Sequence, residues 1–99
     1  MEDVTNRVVS SETYAEVADE LGRGRLPVVW GKYSSSSVAN TRKYELTKSP
    51  HNDTVGLRFT ARTMRDGAYV FAYLTDEQLD TLHTTMTLTE WEHLRGARG

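Results

Sequence analysis

The sequence predicts one small α+β domain: an antiparallel meander of three or four strands, with one helix before it and two after. Three observations carry this expectation. An apolar stripe with helical spacing lies near the start, two strand-like runs meet at Asp66-Gly67, and two capping motifs open helical patterns near the end. A length of 99 residues allows a single domain over 1–99, with 1–9 as a lead-in and 96–99 as a tail.

The first helix is expected over about 11–22. Ser10 or Ser11 can accept a hydrogen bond from a free amide of the first turn. Tyr14, Val17, Ala18 and Leu21 follow at i, i+3, i+4 and i+7, while Glu12, Glu16, Asp19 and Glu20 take the wet side. Gly22 tolerates the backbone conformation that closes a helix. Arg25 to Tyr33 reads as a strand, and Pro27, which lacks an amide donor, places its start there or makes it an edge. Ser34 to Ser37 reads as a polar connector, Thr41 to Lys48 as a further strand, and Ser49 to Asp53 as a turn cluster.

Thr54–Arg65 and Ala68–Leu74 form the expected hairpin, with Asp66-Gly67 as a tight two-residue loop. That loop sets Arg65 opposite Ala68, Met64 opposite Tyr69 and Arg62 opposite Phe71. One face then carries Val55, Leu57, Phe59, Ala61, Val70, Ala72 and Leu74, of which Val55, Leu57, Phe59, Val70 and Leu74 should pack against the stripe of Tyr14, Val17 and Leu21 or that of Leu79, Leu82 and Met86. The other carries Arg58, Thr60, Arg62, Met64, Tyr69, Phe71 and Tyr73. Thr75 with Gln78, and Thr87 with Glu90, resemble capping boxes that open two last helices.

Composition narrows the function classes. Hydrophobic residues at 37% and charged residues at 26% fit a globular chain and not a disordered or fibrous one. The absence of cysteine removes disulfides, thiolate zinc sites and cysteine nucleophiles. The start, Met-Glu-Asp-Val-Thr-Asn-Arg, has neither the basic lead nor the apolar run of a secretion signal, and no apolar stretch is long enough to span a bilayer. A cytoplasmic location follows as an expectation. The small size suits an accessory protein of a phage or mobile element.

Charge is segregated. Residues 1–22 carry one basic and six acidic residues, 23–65 nine basic and two acidic, and 66–99 two basic and six acidic, within a net charge of only −2. Either basic strand ends meet acidic helix faces inside the fold, or the field steers an anionic partner.

The candidate binding surface is the mixed hairpin face of Arg58, Arg62, Met64, Tyr69, Phe71 and Tyr73. These residue types concentrate binding energy at protein interfaces. Arginines interleaved with rings also suit single-stranded nucleic acid, where bases stack and cations neutralise phosphates. The competing arrangement makes the rings a second core layer beneath a helix, with the arginines snorkelling outward. Three helices for two sheet faces favour that covering.

Catalytic and metal signals are weak. Asp80 with His83, and Glu90 with His93, have the i, i+3 spacing of a carboxylate–imidazole pair, which is also common on solvated helices. Ser34 to Ser37, His51 and Asp53 supply the letters of a nucleophilic triad without a strained turn to present the serine. Gly22-Arg23-Gly24-Arg25 lacks the lysine and hydroxyl of a phosphate loop. The sequence therefore points to a non-enzymatic regulatory or accessory protein without a cofactor. It would bind a protein partner or a second copy of itself, with single-stranded nucleic acid as the alternative partner and a metal-dependent enzyme as a remoter one.

Overall fold

The computed structural model describes residues 6–23, 26–82, 87 and 89–91. The elements run α1 (Ser11–Arg23), β1 (Val28–Tyr33), α2 (Ser36–Lys48), a 3-10 turn (Pro50–Asn52), β2 (Arg58–Met64), β3 (Gly67–Tyr73) and α3 (Asp76–Thr81). The fold is α+β, with one antiparallel three-stranded sheet in the order β1-β3-β2.

α1 forms where its stripe and caps require. The Ser10 hydroxyl accepts from the Thr13 amide at 3.1 Å, and Tyr14, Val17 and Leu21 are buried. β1 begins directly after Pro27 and lies at the sheet edge, so the missing proline amide interrupts no ladder. On its outer side the lead-in adds partial pairing. The Arg7 amide donates to the Trp30 carbonyl at 3.0 Å, and the Lys32 amide donates to Asn6 Oδ1 at 2.9 Å. Gly31 admits this approach, because a Cβ there would collide with the Asn6 side chain. A bulge at Trp30 moves the pairing from Val29–Phe71 to Gly31–Val70. The Trp30 indole is fully buried between the rings of Tyr14 and Phe59, with centroids 5.1 and 5.4 Å away.

The stretch expected as a further strand, Thr41 to Lys48, is the second half of helix α2. Ser35, within the run expected as a connector, caps it by accepting from the Val38 amide at 3.2 Å. Its buried stripe is Ala39 and Leu46, completed by half-buried Arg42 and Lys43 at the intermediate spacings. Long basic side chains supply methylene stems to that contact and keep their charges wet. An apolar-only pattern therefore misses the helix. After the 3-10 turn, buried Asn52 organises the return. Its amide nitrogen donates to the carbonyls of Thr47 and Leu57 at 3.2 and 2.9 Å, and its oxygen accepts from the Leu57 amide at 2.7 Å. Gly56, at φ 75°, completes the turn, which is why β2 starts at Arg58 and not at Thr54.

The hairpin register differs from the expected one by two residues. Met64 pairs with Gly67, Arg62 with Tyr69 and Thr60 with Phe71, so Arg65 and Asp66 are the loop. No described non-glycine residue has positive φ, and Gly67 takes φ 148° as the first residue of β3. A mirror-image turn centred on Asp66-Gly67 is thus replaced by two residues without positive φ, followed by glycine. A two-residue shift conserves side-chain direction, and both faces keep their expected residues.

The two faces carry two cores. Phe59, Ala68, Val70 and Ala72 meet Tyr14, Val17 and Leu21 of α1 and Ala39 and Leu46 of α2, with Val55 and Leu74 at the margin. On the reverse face Met64, Tyr69 and Phe71 meet Leu79, Leu82 and Trp91. α3 opens with the expected capping box: Thr75 accepts from the Gln78 amide, and Gln78 Oε1 accepts from the amides of Leu74 and Thr75. Gln78 also donates to the Leu21 carbonyl at 3.1 Å, tying α3 to the end of α1. The Thr87 hydroxyl accepts from the Glu90 amide at 3.0 Å, and 89–91 are helical, as the second capping motif predicts.

Two full cores on a thin sheet make the reverse face structural. Phe71→Ala, at a fully buried position, should cost about 3–5 kcal/mol. Tyr44→Ala, at an exposed one, should change stability by less than about 0.5 kcal/mol. Urea unfolding followed by circular dichroism measures both.

Candidate protein interface

The hairpin residues expected to form a binding surface share one face, but most of that face is interior. Phe71 is fully buried with its ring 5.6 Å from that of Trp91, and Met64, Tyr69 and Tyr73 are buried as well. The Tyr69 hydroxyl donates to the Asp66 carbonyl at 3.3 Å. Arg62 is half-buried beside them. Arg58 alone is exposed; its guanidinium lies 4.8 Å from the Tyr73 ring centre and 3.1 Å from Asp76. The physical reason is the amphipathic chain after β3. Leu79, Leu82 and Trp91 need an apolar surface, and this face is the one left by α1 and α2.

The opposite layer presents a different surface. α1 packs on the β1 side of the sheet and α2 on the β2 side, so both turn their outward faces away from it together. The Tyr14 hydroxyl links them, donating to the Leu46 carbonyl at 2.7 Å. With Tyr14, Val17 and Leu21 inward, Glu12, Glu16 and Asp19 point outward at i, i+4 and i+7, all exposed. With Ala39 and Leu46 inward, the outer side of α2 shows Thr41, Tyr44 and Lys48.

Tyr44 is the feature that sequence reasoning missed. It is 61% exposed, with the Lys43 and Lys48 ammonium groups 5.1 and 5.9 Å from its ring centre. Once Thr41–Lys48 is taken as a helix, the i, i+4 spacing of Tyr44 and Lys48 exposes this pairing. An open groove of about 560 Å³ runs between Val9, Leu46 and Pro50, rimmed by Arg42 and Lys48. Arg42 is held by Glu45 at 3.5 Å.

The triad letters separate. Ser35 caps α2, and the His51 ring nitrogen Nδ1 instead shares a 2.8 Å hydrogen bond with the Ser11 hydroxyl at the start of α1. This pair is exposed and neither residue lines the groove, so it clips the 3-10 turn to α1. His83 and His93, one member of each spaced carboxylate–imidazole pair, lie outside the described residues.

Two tyrosines beneath this layer set a pH limit. Burial pushes the Tyr14 and Tyr33 hydroxyls above the ordinary phenol value of 10.0, and the Arg42 charge partly opposes the rise in both. An acid whose pKa is raised by folding holds its proton in the native state after the unfolded chain has released it. Its stabilisation is complete below about pH 10 and is lost as pH rises through the folded value. The urea midpoint should therefore fall from pH 9 to pH 11, and Tyr33→Phe should make that fall shallower; an unchanged slope would remove Tyr33 as a cause. Compared with protein-family models, curated proteins and solved structures, the chain has no match in any of the three.

Proposed function

We propose that this protein is a non-enzymatic binding module that docks an acidic protein surface against helix α2, in a regulatory or accessory role. The observation that carries the reading is Tyr44, an exposed ring held between Lys43 and Lys48. Tyrosine contributes large contact area at small entropic cost, and it is enriched where interface energy concentrates. The two flanking ammonium groups select against a basic partner and accelerate encounter with an acidic one.

Single-stranded nucleic acid is the weaker reading. Recognition of a strand stacks successive bases on several rings. The hairpin rings that suggested it are buried, and Tyr44 is the one large aromatic side chain exposed among the described residues. The overall charge of −2 also opposes a polyanion.

Two-dimensional NMR at low ionic strength separates the readings, with a poly-glutamate peptide and an oligothymidylate as probes. Poly-glutamate should shift the amide signals of residues 41–48 and lose affinity as salt is added. Tyr44→Ala should weaken it about tenfold, and Lys43→Glu with Lys48→Glu should abolish it. Silence with poly-glutamate rejects the proposal, and a stronger response to oligothymidylate replaces it with the nucleic-acid reading.

A further inference from the structure

We propose that the acidic surface docked by α2 is helix α1 of a second copy of this chain, the two copies meeting through their helical layers about a two-fold axis. The inference rests on the reading of α2 as a protein-contact face and names its partner.

Two stripes of opposite charge lie on one surface. Glu12, Glu16 and Asp19 form the outward stripe of α1, whereas Lys43 and Lys48 flank Tyr44 on α2. Folding does not neutralise one with the other. Among the described residues, the ion pairs of these helices are Asp19–Arg23 and Arg42–Glu45, each within its own helix, and Arg7–Glu20 at 3.9 Å. No ion pair joins α1 to α2 among them.

Symmetry then decides between partners. The stripes lie on opposite sides of central β3, one above β1 and one above β2. A two-fold axis running along the layer between them carries the acidic stripe of each copy onto the basic stripe of the other, so every favourable contact occurs twice. A foreign acidic partner would satisfy α2 and leave the carboxylates of α1 facing solvent; a second copy satisfies both. Tyr44 and the groove floored by Val9, Leu46 and Pro50 provide the apolar contact that charge alone lacks.

The other route to a dimer is edge pairing of β2, whose outer side carries no strand among the described residues. Antiparallel pairing of two copies there would bring two arginine-bearing strands and two basic α2 helices together. Like charges facing across a sheet oppose that arrangement.

Sedimentation equilibrium tests the inference with the full chain and two exposed charge reversals, Glu16→Lys and Lys48→Glu. The wild-type mass should rise with concentration from 11.2 kDa toward twice that value at low ionic strength. The dissociation constant should increase roughly tenfold in high salt. Each reversal alone should weaken association at least about tenfold, because it sets like charges opposite each other. An equimolar mixture of the two should recover a heterodimer, since one of its two stripe contacts is then that of the wild type and the other carries both reversals, which restore opposite charges to each other. Circular dichroism of each variant should match the wild type.

A wild type that stays at 11.2 kDa overturns the inference, as does a mixture that stays monomeric. If the wild type is monomeric while poly-glutamate still shifts residues 41–48, only the identity of the partner is wrong. If both are silent, the reading of α2 falls with it.

Discussion

The structure depends on the burial of β3 from both sides. Its run Gly67-Ala68-Tyr69-Val70-Phe71-Ala72-Tyr73 is buried at every position after the glycine. A strand apolar on both faces is stable only between two covering layers. Ala68, Val70 and Ala72 are small or slender, which lets the aromatic cluster of Tyr14, Trp30 and Phe59 fill the space on the α1–α2 side. Tyr69 and Phe71 are large, and Leu79, Leu82 and Trp91 pack against them on the other side. The asymmetry of side-chain size along β3 therefore assigns α1 and α2 to one face and the chain after β3 to the other.

That constraint also explains how far the sequence could be read. The hairpin faces were legible although moving its loop by one residue shifts the pairing by two, because strand direction repeats every second residue and an even shift of pairing is silent. Helix α1 and the Thr75–Gln78 cap were legible because apolar spacing and capping oxygens agree there. Helix α2 was not. Two of the four positions in its buried stripe are Arg42 and Lys43, whose charge hides the contact made by their stems. Bonds from Asn40, Thr41 and Thr47 side chains to carbonyls one turn back add to the disguise, since these residue types usually mark caps and strands.

Most of the hairpin face is interior and Tyr44 lies outside, for reasons that mirror each other. Sorting the hairpin by alternation correctly joined Arg62, Met64, Tyr69 and Phe71, yet alternation is blind to what lies above a face. Only the demand of Leu79, Leu82 and Trp91 for a partner decides that the rings are interior. Tyr44 was invisible for the complementary reason: in a strand it would alternate with Lys43 and Glu45, while in a helix it stands beside Lys48 on the outside.

Charge segregation survives folding because the ion pairs are short-ranged in sequence. Asp19–Arg23 and Arg42–Glu45 are one-turn pairs, and Arg58–Asp76 is a longer-range pair that joins the basic middle of the chain to its acidic end. Exposed pairs of this kind contribute about 0.2–1 kcal/mol each, little beside the loss of one core ring. The fold thus neither requires the separation of acidic α1 from basic α2 nor removes it. A pattern that stability leaves free is open to recognition, and its placement on one continuous layer gives that recognition a direction.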